Sequence, residues 1–426
     1  MFGLKKPEVL VLGAGPVGLF AALALVRRDV KVQIVDRGHQ LCMRSYALGL
    51  HPGSMRLLDQ YGLLGEVLET AHRVHRVVLF RGGVRAADLR LSELPAEQPF
   101  VAVLRQDELE QVLENALRKA GVAVKWSHEV TQLTPREDGV TARVDRWNQD
   151  TGGYSVQHSE WVLAGTSEKV FPFVVGADGH SSVVRRSLAA GFPQVGQTED
   201  FAVFEFRSDA DLHHEMRLTL GQDDTNVLWP LGDGYCRWSF QIPSHDSDSD
   251  TREKNRDVVM PGEGDDRDLT ADHLRELIKE RAPWFTGSVD HIRWSMFVRF
   301  ERRLADSFGQ GRMWLAGDAA HVTGPAGVHS MNVGLREADD LAARLADVVQ
   351  GRAPASTLEA YGEQRRAEWR QLLGLDGGLR AEQTTDSWIA ASRHRLLPCI
   401  PATGADLEHL AAQIGLVAGQ PARQPG

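Results

Sequence analysis

The stretch that decides the fold is Val-Leu-Val-Leu-Gly-Ala-Gly-Pro-Val-Gly, residues 9–18. Four apolar residues precede Gly13, Gly15 and Gly18, and an Ala/Leu-rich segment follows, which is the pattern of a strand, a tight turn and a helix. Gly13 permits the turn, Gly15 lets a pyrophosphate approach the backbone, and Gly18 lets the helix pack closely on the strand. The helix N-terminus then faces the phosphate charge. The pattern predicts a dinucleotide site.

An acidic residue completes this βαβ unit. Residues 31–36 alternate between polar and apolar and end on Asp36, roughly 20 residues after the glycines, where an acid binds a ribose hydroxyl. The motif by itself does not distinguish FAD from NAD. The cofactor-binding residues expected from this unit are Gly13, Gly15, Pro16, Val17, Gly18, Asp36 and Arg37.

Two further glycine-bearing segments lie far along the chain. One is Val-Val-Gly-Ala-Asp-Gly at 174–179, and the other is Trp-Leu-Ala-Gly-Asp-Ala-Ala-His at 314–321, which continues to Asn332 and Gly334. No second Gly-x-Gly-x-x-Gly is present. The three segments together suggest a flavin that is bound along the whole chain, and therefore an oxidoreductase whose nicotinamide donor docks only transiently.

Composition narrows the class of protein. The chain has 426 residues and a formal net charge of -10, without a basic stripe, so nucleic acid is not expected as a partner. No apolar run reaches the ~18 residues that a membrane span needs, and we expect a cytoplasmic protein. Its three cysteines are isolated, and the pairs His72/His75 and His213/His214 lack carboxylates at ligand spacing. No metal site or dithiol centre is therefore expected.

The periodicity predicts an α/β fold: a Rossmann-like FAD-binding domain with an inserted antiparallel β-sheet substrate domain and C-terminal helices. From 201 to 300 the apolar period becomes two, which predicts a sheet with one packed face. Residues 244–268 are expected to be a mobile loop, Val122–Trp126 a strand and Asn148–Gly153 a hairpin turn. The predicted domains are FAD-binding at 1–72, 105–190 and 301–350, substrate-binding at 73–104 and 191–300, and a helical segment at 351–426.

At this point the chain resembles the FAD-dependent aromatic hydroxylases, the single-component flavoprotein monooxygenases of the p-hydroxybenzoate hydroxylase type, over roughly residues 7–350. The matching motifs are Gly317-Asp318-Ala319-Ala320-His321 with Gly324-Pro325-Ala326-Gly327, and Asp178-Gly179 with Arg185. The resemblance implies that Asp318 bonds the ribityl chain and that Pro325 lies near the flavin ring. Further cofactor-binding residues implied by it are Arg44, Arg105, Gln106, Asp178, Gly179, Gly317 and Gly327.

The segment after this motif leads into a helix that is expected from about Leu335. Its unpaired N–H groups, at Met331, Asn332 and Val333, would stabilise an anionic reduced flavin ring. The chain departs from the family here, because Gly327-Val328-His329-Ser330 replaces the usual Gly-Gly-Gln-Gly. His329 is either an acid or base that faces the substrate or a hydrogen-bonding replacement for the glutamine.

The resemblance implies an NAD(P)H-dependent monooxygenase of secondary metabolism that hydroxylates an aromatic or heteroaromatic small molecule with O2 through a flavin C4a-hydroperoxide. Tyr235, Arg237 and Arg217 are candidates to contact a phenolic substrate, and the sheet is expected to cover the cavity. Two alternatives stay open: an FAD reductase or oxidase of the same fold, and a non-catalytic flavin-holding partner. The residues do not separate hydroxylation from Baeyer–Villiger-type insertion, NADH from NADPH, or monomer from homodimer.

Overall fold

The computed structural model of the chain describes residues 6–41, 49–152, 158–243 and 269–419. The expected mobile loop at 244–268 therefore lies outside the described residues, as does Arg44. Within the described part the α-helices are α1 (Pro16–Val26), α2 (Pro52–Gln60), α3 (Leu64–Thr70), α4 (Gln106–Lys119), α5 (Val183–Ser187), α6 (Ala271–Arg281), α7 (His329–Val349), α8 (Ser356–Leu372), α9 (Ser387–Leu396) and α10 (Gly404–Ala412).

The strands of the same part fall into several sheets. In chain order they are β1 (Val9–Leu12), β2 (Val32–Val35), β3 (Gly49–Leu50), β4 (His72–Val74), β5 (Arg76–Arg81), β6 (Val84–Arg90), β7 (Val101–Val103), β8 (His128–Pro135), β9 (Val140–Gly152), β10 (His158–Phe171), β11 (Phe173–Gly176), β12 (Glu199–Arg207), β13 (Glu215–Leu220), β14 (Thr225–Pro230), β15 (Tyr235–Ile242), β16 (Ile292–Phe300), β17 (Arg303–Leu304), β18 (Gly309–Gln310), β19 (Met313–Leu315), β20 (His321–Val322), β21 (Leu379–Ala381) and β22 (Leu416–Ala418).

A five-stranded sheet in the order β18-β19-β11-β1-β2 forms the centre of the molecule. The strands β19, β11, β1 and β2 run parallel, and all four residues of β1 are buried, as is usual for a parallel sheet covered on both faces. Helices α1 and α7 pack against each other beside it. Because parallel strands end at the same edge, the turns after β1, β11 and β19 meet there. This mixed α/β architecture confirms the predicted fold class.

A seven-stranded sheet in the order β16-β12-β15-β14-β13-β5-β6 shares a hydrophobic core with the central sheet. It combines strands from 76–90 with strands from 199–300, and β13 pairs in parallel with β5, whereas the other pairs are antiparallel. The prediction of one packed face is wrong. Met216, Leu218 and Leu220 belong to the core shared with the central sheet, whereas Cys236, Trp238 and Phe240 pack with α6 on the opposite face.

This error has a physical cause. Alternation shows which residues of one strand share a face, but the register between strands decides which faces coincide across the sheet. Arg217 pairs with Leu228, and Leu228 pairs with Trp238, which places Arg217 on the α6 face. Arg237 pairs with Glu205 and lies on the other face.

Several boundaries also differ from the expectations. Helix α7 begins at His329, six residues before Leu335. Val122–Trp126 contributes only a single parallel bridge, between Lys125 and Val35. The segment from Asn148 is part of β9, because it pairs with the long strand β10. The C-terminal segment from residue 351 contains the helices α8, α9 and α10 as expected, but it also contains the strand pair β21–β22. No helix in the described ranges has the length and apolar character required to cross a bilayer.

Candidate functional site

The three glycine motifs meet at the carboxyl edge of the central sheet. A Cβ at Gly13 would lie 2.1 Å from the carbonyl oxygen of Ala177, in the second motif. A Cβ at Gly18 would lie 2.0 Å from the carbonyl oxygen of Gly13. These two positions have no room for a side chain, and Gly13 also has a positive φ of 96°, which favours glycine.

Gly15 and Gly179 both face open space, and Gly179 also has a positive φ of 73°. A Cβ added at either position would meet no atom within 4 Å, so the neighbouring protein leaves this space open. Both glycines border the edge at which α1 begins, directly after the N-cap residue Gly15. Open space before a helix N-terminus is what a bound pyrophosphate requires. The residues present therefore fit a dinucleotide.

Asp36 lies at the end of β2, next to the same turn. Its Oδ2 accepts a hydrogen bond of 2.6 Å from the Ala14 N–H, and its Oδ1 accepts one of 2.6 Å from the Gly38 N–H. The carboxylate thus holds the glycine turn in place. The neighbouring Arg37 is exposed.

The third motif reaches the edge through β19. Gly317 has a φ of 65°, and a Cβ there would lie 3.0 Å from Val17 at the start of α1. Asp318 follows in a short 3-10 turn with an exposed side chain, although its neighbours Gly317 and Ala319 are buried. The surrounding protein desolvates the carboxyl and raises its pKa. An exposed carboxyl that follows β19 at the carboxyl edge of the central sheet fits a hydroxyl-bearing chain such as ribityl.

A buried network that the sequence analysis missed fixes this turn. The Glu337 carboxylate accepts hydrogen bonds from the Gly317 N–H (2.9 Å), from His321 Nε2 (2.8 Å) and from Trp369 Nε1 (2.7 Å). Glu337 and His321 are fully buried, and the His321 ring stacks on Trp369. Although burial raises the pKa of Glu337, the contact with His321 and the other donors lowers it further, so the pKa is below its ordinary value.

The second motif is joined to the third by an arginine. Arg185 donates from Nη1 to the Ala319 carbonyl (2.6 Å) and from Nη2 to the His180 carbonyl (2.5 Å). Asp178 accepts from the Val183 N–H at 2.7 Å through Oδ2, whereas its Oδ1 is buried without a hydrogen-bond partner among the described residues. Burial raises the pKa of the Asp178 carboxyl. An unpaired buried oxygen beside the open glycines is consistent with a ligand that donates to it.

The start of α7 corrects the expected set of free N–H groups. Because the helix begins at His329, its unpaired N–H groups are those of 328–331. Met331 belongs to this set, but Asn332 and Val333 do not. The Asn332 side chain instead donates to the carbonyls of Gly49 and Val328, both at 2.8 Å.

Two other features mark this helix start. Val328 has a left-handed conformation with a φ of 52°, which is an outlier for a β-branched residue. The Ser330 hydroxyl is buried and has no partner among the described residues. Backbone strain of this kind is frequent at ligand sites.

His329 lines neither of the two cavities described below. It is buried, and its Nε2 lies 2.8 Å from the Ile400 carbonyl and 3.1 Å from the Ala402 carbonyl. Two carbonyl acceptors require the proton on Nε2. Burial lowers the pKa of His329 to about 4. These are the contacts of a hydrogen-bonding structural residue, and we propose no acid–base role for it.

Arg105 and Gln106 lie at the start of α4. Arg105 pairs with Glu205 of the seven-stranded sheet at 2.8 Å, and Gln106 donates to Glu110 at 2.8 Å. Glu205 is fully buried and also pairs with Arg237 at 2.7 Å. Burial opposes the charge on Glu205, but the two arginines lower the pKa of its carboxyl. Arg105 therefore connects the start of α4 to the seven-stranded sheet, whereas Arg237 pairs with Glu205 within that sheet.

The other substrate candidates are divided between the faces of the sheet. Arg237 is buried with its guanidinium 4.7 Å from the Trp294 ring. Tyr235 reaches His291 at 3.3 Å. Arg217 and Arg237 lie on opposite faces, since Arg217 pairs with Glu215 and lies over Trp284 on the α6 face.

A cavity of about 1080 Å³ lies between the seven-stranded sheet, residues 324–326 and α9. None of His329, Tyr235, Arg217 and Arg237 lines it. Its wall next to Pro325 carries the ion pair of Arg302 with Glu199 (3.0 Å), which sequence reasoning missed because neither residue belongs to a motif. Apolar wall residues are Phe201, Leu220, Pro325, Ala326, Trp388 and Pro398.

A second cavity, of about 1130 Å³, opens between β18, β19 and α8. It contains no residue of the glycine turns and does not reach Pro325, so we do not assign it to the chemistry. Among the described residues no cluster of three or more histidine, cysteine or acidic side chains could hold a metal ion.

Comparisons with known proteins give consistent matches. The family described as FAD binding domain matches residues 6–375. The chain is 31% identical over 396 residues to 6-methylpretetramide 4-monooxygenase of Streptomyces rimosus, covering 92% of this chain and 64% of that protein. It is 28% identical to pentachlorophenol 4-monooxygenase of Sphingobium chlorophenolicum, covering 86% of this chain and 63% of that protein. The chain thus spans less than two thirds of the length of these relatives.

Solved structures give the same picture. The p-nitrophenol 4-monooxygenase of Pseudomonas putida superposes with a TM-score of 0.70 at 22% identity, covering 96% of both chains; at this identity the likeness concerns the fold. A ternary complex of aklavinone-11 hydroxylase with FAD and aklavinone has a TM-score of 0.66 at 26% identity, covering 95% of this chain and 72% of that one.

Proposed function

This chain belongs to the FAD binding domain family, and on that premise we propose that it is an FAD-dependent monooxygenase that hydroxylates an aromatic small molecule with electrons from NADPH or NADH. The observation that carries the proposal is that three glycine motifs converge on one sheet edge, and that the loop following the third motif, at residues 324–326, borders a cavity. The relatives named above are, by their names, monooxygenases of 6-methylpretetramide, pentachlorophenol and p-nitrophenol and a hydroxylase of aklavinone.

We assign the FAD contacts as follows. Gly13, Gly15 and Gly18 with the start of α1 hold the pyrophosphate, Asp36 the adenosine ribose, and Asp318 the ribityl chain. Asp178 and Gly179 border the same path, and the free N–H groups at 329–331 face the ring. We keep the division into an FAD-binding part (1–72, 105–190, 301–350) and a substrate part (73–104, 191–300).

When bound, FAD would accept electrons from the nicotinamide donor and activate O2 for transfer of a hydroxyl group to the aromatic ring of the substrate. The chain's own residues position and shield this chemistry. The helix start at 329–331 offers N–H groups and a partial positive charge to negative charge on the flavin edge. The apolar walls exclude water, which would otherwise compete with the substrate.

Among the polar side chains that line the cavity, the Arg302–Glu199 pair lies at the wall next to Pro325. Arg302 Nε has no hydrogen-bond partner among the described residues, and a Cβ at Gly324 would lie 3.1 Å from Glu199 Oε2. The pair thus stands next to the loop that carries Pro325. Its guanidinium can orient an acidic hydroxyl or carbonyl oxygen of the substrate.

The test is substrate-dependent turnover. The purified chain with FAD should oxidise NADPH or NADH faster when phenols or polycyclic hydroxyarenes are added, and product formed under oxygen-18 gas should carry one labelled oxygen. Hydrogen peroxide without labelled product would indicate an oxidase of the same fold. If flavin binds but neither nucleotide reduces it with any substrate, the result would favour the alternative of a non-catalytic flavin-holding partner.

A further inference from the structure

The C-terminal wall, which we define as residues 387–402, forms one side of the cavity. It comprises α9, the 3-10 turn Leu397–Cys399 and the residues up to Ala402. Trp388, Arg395 and Pro398 line the cavity, opposite Phe201 and Leu220 of the seven-stranded sheet. The cavity therefore depends on a segment that lies after the family match, which ends at residue 375.

Arg395 fastens the wall to the tip of the β13–β14 hairpin. Its Nη1 donates to the carbonyls of Gly221 (2.9 Å) and Gln222 (3.2 Å), and its Nη2 donates to the Asp224 carbonyl and to Thr225 Oγ1 (3.1 Å). Four neutral oxygens from one hairpin surround a single cation. Because a guanidinium presents its N–H donors in a fixed geometry, its bonds to several acceptors hold the wall to the hairpin in one arrangement.

His329 fastens the other end of the wall to the flavin-site loop. Its Nε2 donates toward the carbonyls of Ile400 and Ala402. The wall also presses on the loop directly, since a Cβ at Gly327 would lie 2.5 Å from the Pro398 carbonyl oxygen. The departure at 327–330 from the usual family sequence thus has a structural counterpart: the altered loop holds the wall.

We propose that the C-terminal wall is the specificity element of the cavity, that Arg395 and His329 are positioning residues that hold it, and that Trp388 is its ring-contacting side chain. This inference rests on the proposed function, because it treats the cavity as the substrate site. With both fastenings in place the wall limits the size of the substrate and keeps water from the flavin edge.

Cys399 offers a direct readout of the wall. It is buried, and its thiol donates to the Arg395 carbonyl at 3.1 Å. Burial, with Glu199 nearby, raises the pKa of the Cys399 thiol to about 12, and alkylation requires the thiolate. Cys236 is buried in the other core, with α6, and reports global unfolding in the same sample.

The experiment measures alkylation of each cysteine by iodoacetamide, with the site assigned by mass spectrometry. Arg395→Met should label Cys399 at least tenfold faster than the unmodified protein, with Cys236 unchanged. Arg393→Met, an exposed arginine on the same helix, is the matched control and should have no effect. Equal acceleration at Cys399 and Cys236, or no acceleration at all, would overturn the fastening.

A second pair of variants tests His329. His329→Leu removes the donor and should also expose Cys399, whereas His329→Gln retains an N–H donor and should restore slow labelling. If the leucine variant labels like the unmodified protein, His329 does not hold the wall.

The substrate side of the inference is tested with alizarin, a three-ring hydroxyanthraquinone. Alizarin should slow labelling of Cys399 severalfold. In Trp388→Ala, about tenfold more alizarin should be needed for the same protection. Absence of protection would refute the proposal that the C-terminal wall is the specificity element. Labelling needs no NAD(P)H, so failure of turnover with intact protection would count against the proposed function alone.

Discussion

Asp318 illustrates how the role of one residue depends on the backbone beneath it. Its carboxyl is exposed because Gly317 turns the chain with a φ of 65°, and Glu337 fixes the Gly317 N–H from behind. The motif letters predicted the position of Asp318 near the cofactor. They did not reveal Glu337, because a glutamate in a long amphipathic helix has no distinguishing pattern.

At this scale we predict that Asp318→Ala weakens FAD binding about tenfold to a hundredfold. The reason is the loss of a hydrogen bond to a charged group, which contributes about 1.5–3 kcal/mol. The dissociation constant is measured by quenching of flavin fluorescence on titration of the apoprotein. Asp59→Ala, an exposed acid on α2, is the control. Unchanged affinity in Asp318→Ala would show that the ribityl assignment is wrong.

At the scale of elements, the seven-stranded sheet has two packed faces, and each face contacts a different part of the molecule. One face packs on α6, and the other contacts the start of α4 through Glu205, which is fully buried between Arg105 and Arg237. The residues that sequence analysis assigned to the flavin and to the substrate are thus joined by one carboxylate. A period of two indicates burial of a strand, but only pairing shows which face it joins.

For this element we predict that Glu205→Gln destabilises the protein by about 3 kcal/mol or more, because two guanidinium groups lose their buried partner. Asp200→Asn on the same strand is the matched control. Its pair with Arg299 is more exposed and should contribute under about 1 kcal/mol. Urea unfolding followed by tryptophan fluorescence measures both. Equal losses in the two variants would mean that the buried cluster adds no stability.

At the scale of the whole molecule, the site is assembled from segments hundreds of residues apart. Two buried histidines join several of them. His51 donates from Nε2 to the Gly327 carbonyl at 2.8 Å, and His329 extends the connection to residues 400 and 402. Burial lowers the pKa of His51 well below its ordinary value and that of His329 to about 4.

This arrangement predicts loss of stability in mild acid. A histidine whose folded pKa is about 4, against about 6.5 unfolded, stabilises the fold fully above pH ~6.5 and progressively less as the pH falls toward ~4. Between pH ~7.5 and ~5 the free energy of unfolding should fall by about 2 kcal/mol more in the unmodified protein than in His329→Gln. Urea unfolding at several pH values measures this, with His409→Gln as the exposed control. A pH-independent difference would refute it.

The sequence by itself determined the α/β class, the dinucleotide turn and the flavin, since the FAD binding domain match confirms the resemblance. These features can be predicted from the sequence because they depend on local sterics. The surroundings of Gly13 and Gly18 leave no space for a Cβ, and glycine is required in the same way wherever a strand turns tightly into a helix.

Only the tertiary structure decided the rest. The separation of Arg217 from Arg237, the Glu337 network, the Arg302–Glu199 pair and the C-terminal wall all depend on partners far away in the chain. Such contacts are set by strand register and helix packing, which no local pattern encodes. His329 is the clearest case: the sequence left its role open between acid–base chemistry and hydrogen bonding, and the carbonyls of Ile400 and Ala402, more than seventy residues on, settle its contacts.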